Sequence, residues 1–229
     1  MTHMNPPHPS FLGLAGIDWE DTGSILCGST PIHAAFTTDP HLLPQLLDNL
    51  TRDAHLQEMC ERYDFLDKLV LYDDIHAQVR VRLHLYRSGY FDRPHNHRWS
   101  FASHILRGRY LHRIYGRDDT FDENTDPATL RPIHERIETA GSSYALHHTS
   151  VHTVQAEADS ISILLRGPAA KDRFLILDRA GSPFWVYGAA QETPETRASK
   201  RMTPTQLDQT ITRVRSLTTT TAGPARAEA

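Results

Sequence analysis

Two histidines, His95 and His97, stand one residue apart in the stretch Pro94 to Tyr110, PHNHRWSFASHILRGRY. Residues i and i+2 of an extended chain project to the same side, so both imidazoles can enter one pocket as neighbouring ligands of a metal ion. A third ligand then has to come from elsewhere in the chain, and His152 is the leading candidate. His147 and His148 are rival donors, because they lie on the same turn. With 15 histidines in 229 residues, a chance pair of solvated side chains is the alternative, and spacing has to decide.

A second group of residues speaks to the substrate. Arg80, Arg82, His84 and Tyr86 alternate with Val79, Val81, Leu83 and Leu85. If the apolar set packs under helices, the polar set faces an internal cavity. Buried arginine is costly unless paired, so inward arginines imply an anionic substrate or a structural carboxylate; a solvated face is the other reading. Nine arginines and one acid, Asp92, lie between Ile75 and Arg117. Guanidinium forks match carboxylate or phosphate, which favours a small anionic substrate. That stretch has no lysine and the whole chain is acidic, which argues against nucleic acid. Tyr110 and His112, on alternate positions after Gly108, are candidates to line the cavity, Tyr for hydrogen bonding and His for proton transfer. Ordinary strand residues are the competing reading for both. Phe101 and Ser103 set the inward face of their strand, which makes Ser103 a substrate-binding candidate and turns His104 outward. Trp99, Phe101, Phe184 and Trp185 read as core or rim.

The elements that must position these residues are mostly strands. Val79 to Tyr86 shows strict period-two alternation, the strongest strand signal in the chain. Lys68–Asp74, Trp99–Leu106, Arg109–Tyr115, His134–Glu138, Ser143–Leu146, His152–Gln155, Ser160–Arg166 and Arg173–Asp178 are further strand candidates. Gly89, Gly108, Gly141 and Gly167-Pro168 supply turns. Many short strands with regular turn signals indicate an antiparallel sandwich or barrel. Before them, Asp39 can cap a helix carrying Leu42, Leu43, Leu46, Leu47 and Leu50 on one stripe. A second helix is expected over Asp53 to Tyr63. Gly16 to Thr38, with apolar pieces such as ILC at 25–27, is expected to contribute one strand. Thr203-Pro204 opens an amphipathic helix with Leu207, Ile211 and Val214 on one face. The acidic segment 116–132 reads as an exposed insertion. The expected organisation is an N-terminal arm (1–38), a helical extension (39–67), a β domain (68–190), a C-terminal helix (191–217) and a disordered tail (218–229).

Composition narrows the setting. Hydrophobic content is 39%, net charge −4 and pI about 6.4, with nothing to attract nucleic acid or an acidic membrane. No stretch approaches the roughly 20 apolar residues of a membrane span. Two cysteines, Cys27 and Cys60, without CxxC or a secretory signal, lead to the expectation of a reduced, cytoplasmic location.

The portion from about Lys68 to Tyr187 resembles the cupin superfamily. Gly89, His95, His97 and Gly108 match the first cupin motif in identity and spacing. Gly141 to His152, GSSYALHHTSVH, fits the length and histidine of the second motif but lacks its turn proline and glycine. The resemblance implies a mainly β, cupin-type antiparallel sandwich or barrel, with helices at both ends of the chain. It implies His95, His97 and His152 as metal ligands, and a homodimer paired through sheet edges. The acidic position of the first motif falls at Phe101, or at Ala102 if the loop slips by one, and neither can bind metal. The site is therefore similar to the three-histidine iron centre of thiol dioxygenases. The Ser-x-His-x-Tyr run of those enzymes is missing, because SISILLRGP stands there, which disfavours that narrow activity. Three neutral imidazoles leave about three open positions on an octahedral ion, room for substrate and dioxygen. Fe(II) suits this best, and Mn, Ni, Co or Zn are possible because imidazole discriminates poorly. The leading expectation is an Fe(II) oxygenase acting on a small carboxylate. A non-redox lyase, isomerase or epimerase using the metal as a Lewis acid is the runner-up, and a ligand-binding cupin without catalysis is the third.

Overall fold

Strand β3 (Val79–Tyr86) explains most of the architecture. Val79, Val81, Leu83 and Leu85 are all buried in the main apolar cluster, together with residues from the helices. Arg80, Arg82, His84 and Tyr86, on the opposite face, line an internal cavity. Removing a valine or leucine side chain from water contributes roughly 1.5–3 kcal/mol, so four such residues fix which face meets the helices. A slip of one residue would exchange the faces.

The computed structural model describes residues 8–87, 93–178, 181–188 and 191–219. Residues 1–7 of the expected arm, the motif glycine Gly89, Asp92 and residues 220–229 of the expected tail lie outside the described residues. The helices are α1 (Thr22–Thr38), α2 (Leu42–Leu50), α3 (Ala54–Glu58), α4 (Pro194–Lys200) and α5 (Pro204–Thr219). The other strands are β1 (Glu61–Arg62), β2 (Leu66–Asp74), β4 (Phe101–Arg107), β5 (Arg109–Arg117), β6 (His134–Thr139) and β7 (Ser143–Leu146), then β8 (Ser150–Ala156), β9 (Ile161–Arg166), β10 (Arg173–Ile176) and β11 (Phe184–Tyr187). One sheet runs β1-β2-β3-β9-β4-β7, a second β6-β5-β8, and β10 pairs with β11. All strand pairs are antiparallel. Phe101, Ile105 and Leu164 of the large sheet pack against Tyr110, Val154 and Ala156 of the three-stranded sheet, so the two form a sandwich. The outer face of the large sheet carries Ile25, Leu46, Leu56 and Val214 from four helices. Gly108 sits between β4 and β5 at φ +75°, and an added Cβ would lie 2.8 Å from the Ser160 backbone. Only glycine meets both conditions without strain.

Several expectations need correction. The strand expected within 16–38 is helix α1. The Asp21 side chain caps it by accepting from the Ser24 N–H at 2.8 Å, and Ile25, Ile32 and Phe36 form its buried face. Gly23, Gly28 and Pro31 weaken the local helix signal, but packing on the sheet overrides it. The second expected helix stops at Glu58, and the chain continues directly into β1. The C-terminal helix expected over 191–217 is divided into α4 and α5, strand β11 was not anticipated, and Thr218 and Thr219 belong to the last turn of α5 rather than to a tail.

Helix α1 also changes the reading of His104. Its side chain does point away from the cavity, but it is buried under α1, bonded to Ser143 Oγ at 2.7 Å and stacked on His33 at 5.1 Å. His33 is 2% exposed and neither ring nitrogen has a partner among the described residues. Burial, and secondarily His104, hold its imidazole down to about 3. The folded state thus keeps His33 neutral, whereas the unfolded chain takes a proton near the usual 6.5. Stability is fully present above about pH 6.5 and is lost as pH falls toward 3. His33→Leu should raise stability by about 1 kcal/mol at pH 7 through loss of unsatisfied buried nitrogens. It should also flatten the decline between pH 6.5 and 4, as read by urea unfolding at several pH values; an unchanged acid limb would contradict this account.

Candidate metal centre

Residues 95–97, just before β4, run as a short extended piece along β8. His95 N–H donates to His152 O at 3.0 Å, and His152 N–H returns the bond to His95 O at 2.9 Å. His97 N–H donates to His148 O at 3.3 Å. Asn96 points the other way and is 1% exposed; its Oδ1 accepts from Leu175 N–H at 2.8 Å and its Nδ2 donates to Asp118 at 2.7 Å. Lys171 also pairs with Asp118. The segment 116–132 is therefore mostly exposed, as expected, but its first acid reaches inward to lock the residue between the two histidines.

His95, His97 and His152 bring one ring nitrogen each to within 4.8 Å of one another, and the Nε2 atoms of His97 and His152 approach to 2.8 Å. Hydrogen bonding fixes the tautomers. His95 Nδ1 donates to the Arg93 carbonyl at 2.8 Å, which leaves its Nε2 as a lone-pair donor. His112 Nδ1 lies 3.3 Å from Glu138 Oε1. Burial alone would raise the Glu138 carboxyl, but His112 and Arg136 lower it below its usual value. The carboxylate therefore accepts from His112 Nδ1–H. His112 Nε2 is then the acceptor at 3.0 Å for His152 Nδ1–H, and His152 Nε2 is directed to the cluster. A carboxylate–imidazole chain behind a ligating histidine is the usual means of fixing its tautomer.

Burial lowers all three imidazoles, His95 to about 4 and His97 and His152 well below their ordinary value. They are neutral at pH 7, the state a metal requires. Phe101, at the position where the cupin motif has an acid, sets its ring 4.9 Å from that of His97 and 5.8 Å from that of His152. It covers the cluster and supplies no oxygen. The donor set thus fits a divalent ion bound by three imidazoles with further positions open. His147 and His148 do not join it: both bond to Glu20, at 3.2 and 3.3 Å.

The cluster lies at a cavity of about 860 Å³. Arg80, Arg82, His84, Tyr86 and Ser103 line it, so the cavity reading of the β3 polar face holds over the solvated one. Asp73 engages Arg80 Nε at 2.7 Å, whereas Arg82 Nε is sealed from solvent without a partner. Arg82 lies 5.5 Å from the Trp99 ring, which stacks on His97 at 4.8 Å. Tyr110 and His112 do not line the cavity, a correction with a simple cause: both lie buried behind its wall. Tyr144 stands there instead, and Tyr110 meets it through a hydroxyl contact of 2.8 Å. Sequence reading missed Tyr144, Glu138, Arg166 and Lys68. Lys68, directly opposite His84 across β2 and β3, also lines the cavity. Burial, outweighing the attraction of Glu61, brings its ammonium down to about 8.

Two antiparallel sheets packed face to face, with an HxH pair and a third histidine on an adjoining strand, give a cupin-like arrangement whose three histidines fit a metal site. The fold is similar to KdgF from Halomonas sp. (15% identity, TM-score 0.35, covering 47% of this chain and 86% of that one). It is also similar to an RmlC-like cupin from Shewanella frigidimarina NCIMB 400 (18%, 0.36, 49% and 86%). A third likeness is to Fe(II)-HppE with the alternative substrate (S)-1-HPP (14%, 0.35, 46% of this chain and 50% of that one). These likenesses each span less than half of the chain. No family model and no curated protein matches the sequence. No helix among the described residues is long and apolar enough to cross a membrane.

His97→Ala should abolish stoichiometric binding of Co(II) or Zn(II) in equilibrium dialysis. His112→Phe should weaken it by about 10–100-fold, the usual cost of losing an orienting partner. Equal affinity in wild type and His112→Phe would show that the Glu138–His112 chain does not orient His152.

Proposed function

We propose that the protein is a metal-dependent oxygenase acting on a small carboxylate-bearing substrate, with Fe(II) held by His95, His97 and His152. The observation that carries this reading is a ligand set of three neutral imidazoles in which Phe101 stands where an acid would otherwise bind. When bound, such an ion supplies adjacent open positions for substrate and dioxygen, together with one-electron chemistry. The chain's own residues do the rest. Arg82, with its free Nε, receives the carboxylate, while Arg80 is already committed to Asp73. His84, whose Nε2 is also without a partner, and Ser103 offer further hydrogen bonds on the same wall. Trp99, Phe174 and Phe184 exclude water from the space between. Tyr144 and Tyr86 face the cavity with burial-raised hydroxyls, Tyr144 at about 12. They hold their protons at neutral pH and donate hydrogen bonds to substrate oxygen. Tyr110, behind Tyr144, and His112, behind His152, act as positioning residues.

Lys68 favours a second reading, a non-redox isomerase or lyase. An ammonium brought down to about 8 by burial exchanges protons readily near neutral pH. Oxygen uptake separates the two. The Fe(II)-loaded protein should consume oxygen with at least one member of a panel of small carboxylic acids, and Arg82→Gln should raise KM for that acid about tenfold or more. Turnover under strict anaerobiosis would overturn the oxygenase and leave the Lys68 reading.

A further inference from the structure

The cavity carries more positive charge than its carboxylates neutralise, and the excess is concentrated on two strands. Arg80 on β3 and Arg166 on β9 are directly opposite each other in the antiparallel ladder, and Arg82 lies two residues along on the same face as Arg80. All three line the cavity. Like charges directly across a sheet are destabilising, and a sheet interior offers little water to screen them. Asp73 bonds to Arg80 and to His55, and Glu61 attracts Arg82 without an ion pair to it. The other carboxylates of the lining have partners of their own: Lys200 pairs with both Glu61 and Glu192 through one oxygen each, Lys68 approaches Glu61, and Asp74 accepts from the His76 and Ala77 N–H groups. Among the described residues, Arg82 and Arg166 make no ion pair.

Their hydrogen bonding has the same gap. Arg166 Nη1 donates to the Gly167 carbonyl at 2.9 Å and more weakly to Gln78 O, which pins the guanidinium in place. Its Nε is buried and unpartnered, as is Arg82 Nε. Burial, then the neighbouring guanidiniums, bring Arg82 down to about 10 and Arg166 to about 9. Both stay protonated at neutral pH. Buried donors left open are costly in proportion to their charge, and two adjacent guanidiniums without an ion pair are best answered by an anion that can meet both.

We propose that Arg82 and Arg166 together form a seat for a compact, doubly charged oxygen anion, a phosphoryl group or a pair of neighbouring carboxylates, at one end of the substrate. The inference rests on the reading of this cavity as a substrate site, and it sharpens the substrate class from a monoanion to a dianion. Trp99 is in contact with both the seat and the histidine cluster, 5.5 Å from the Arg82 guanidinium and 4.8 Å from the His97 ring. A substrate held at the seat would therefore reach the ligands along that ring. Arg98, which donates to the Lys171 carbonyl, adds positive potential on the same wall.

The seat is tested without any knowledge of the reaction. Orthophosphate, malonate and acetate are titrated calorimetrically into the full-length protein and into its His97→Ala variant, in which the histidine cluster cannot capture the anion. Orthophosphate or malonate should bind at least tenfold more tightly than acetate in both proteins, and the preference between the two identifies a phosphoryl or a dicarboxylate end. Arg166→Gln and Arg82→Gln should each reduce dianion affinity about tenfold or more. A parallel readout needs no variant: phosphate should raise the wild-type melting temperature above that in sodium chloride of equal ionic strength. Acetate binding as tightly as the dianions, an Arg166→Gln protein that binds them like wild type, or no phosphate-specific rise in melting temperature would each overturn the seat. Those results leave oxygen uptake untouched, just as anaerobic turnover overturns the oxygenase and leaves the seat standing.

Discussion

The pair of backbone hydrogen bonds exchanged by His95 and His152 is the constraint on which the site depends. They are 57 positions apart in sequence, and no local preference brings them together. Closing that loop costs entropy that grows only slowly with length, and the sandwich between them recovers it through burial. Once the bridge exists, period-two geometry does the remainder. His97 falls on the face of His95, and Asn96 is driven to the opposite side, where Asp118 and Leu175 hold it. The rings therefore converge through a backbone that is determined by hydrogen bonds, not by attraction between imidazoles.

Buried charge is arranged in graded fashion around that bridge. Asp67 accepts two bonds from Arg62 and one from Thr210, tying β1 and β2 to helix α5. Glu138 stands behind His112 and fixes the direction of a whole relay of N–H groups toward His152. These carboxylates are fully used. The cavity face of β3 and β9 differs, with two guanidinium Nε atoms left open where water cannot reach them. His33 under α1 also has unpartnered nitrogens, but among the described residues only at the cavity wall are the open groups cationic and beside an enclosed space.

Much of this was legible in the sequence, for identifiable reasons. Val79 to Tyr86 announced itself because both faces of β3 meet strongly different environments. The HxH pair was visible because its spacing is local, and His152 because one turn separates it from the second motif glycine. Helix α1 was misread because its residues are poor helix formers individually, and only the sheet beneath makes the helix worthwhile. Arg166 was overlooked at the end of an apolar run, ISILLR, since its significance comes from standing opposite Arg80 in a non-local ladder. Tyr110 and His112 were assigned to the cavity by alternation alone. Alternation gives a side of a strand, and a second layer, Tyr144 and His152, occupies the position nearer the space.

Phe101 has a consequence for binding thermodynamics. An acidic ligand would cancel half of the charge on a divalent ion, whereas three imidazoles and a phenyl ring cancel none of it. An ion bound there would keep its double charge, and an anionic ligand would be its neutralising partner. Affinities for ion and anion are linked in such an arrangement, each enhanced by the other by the same factor. On the proposed reading, a benzene ring in place of a carboxylate would make the occupancy of the centre depend on the supply of that anion.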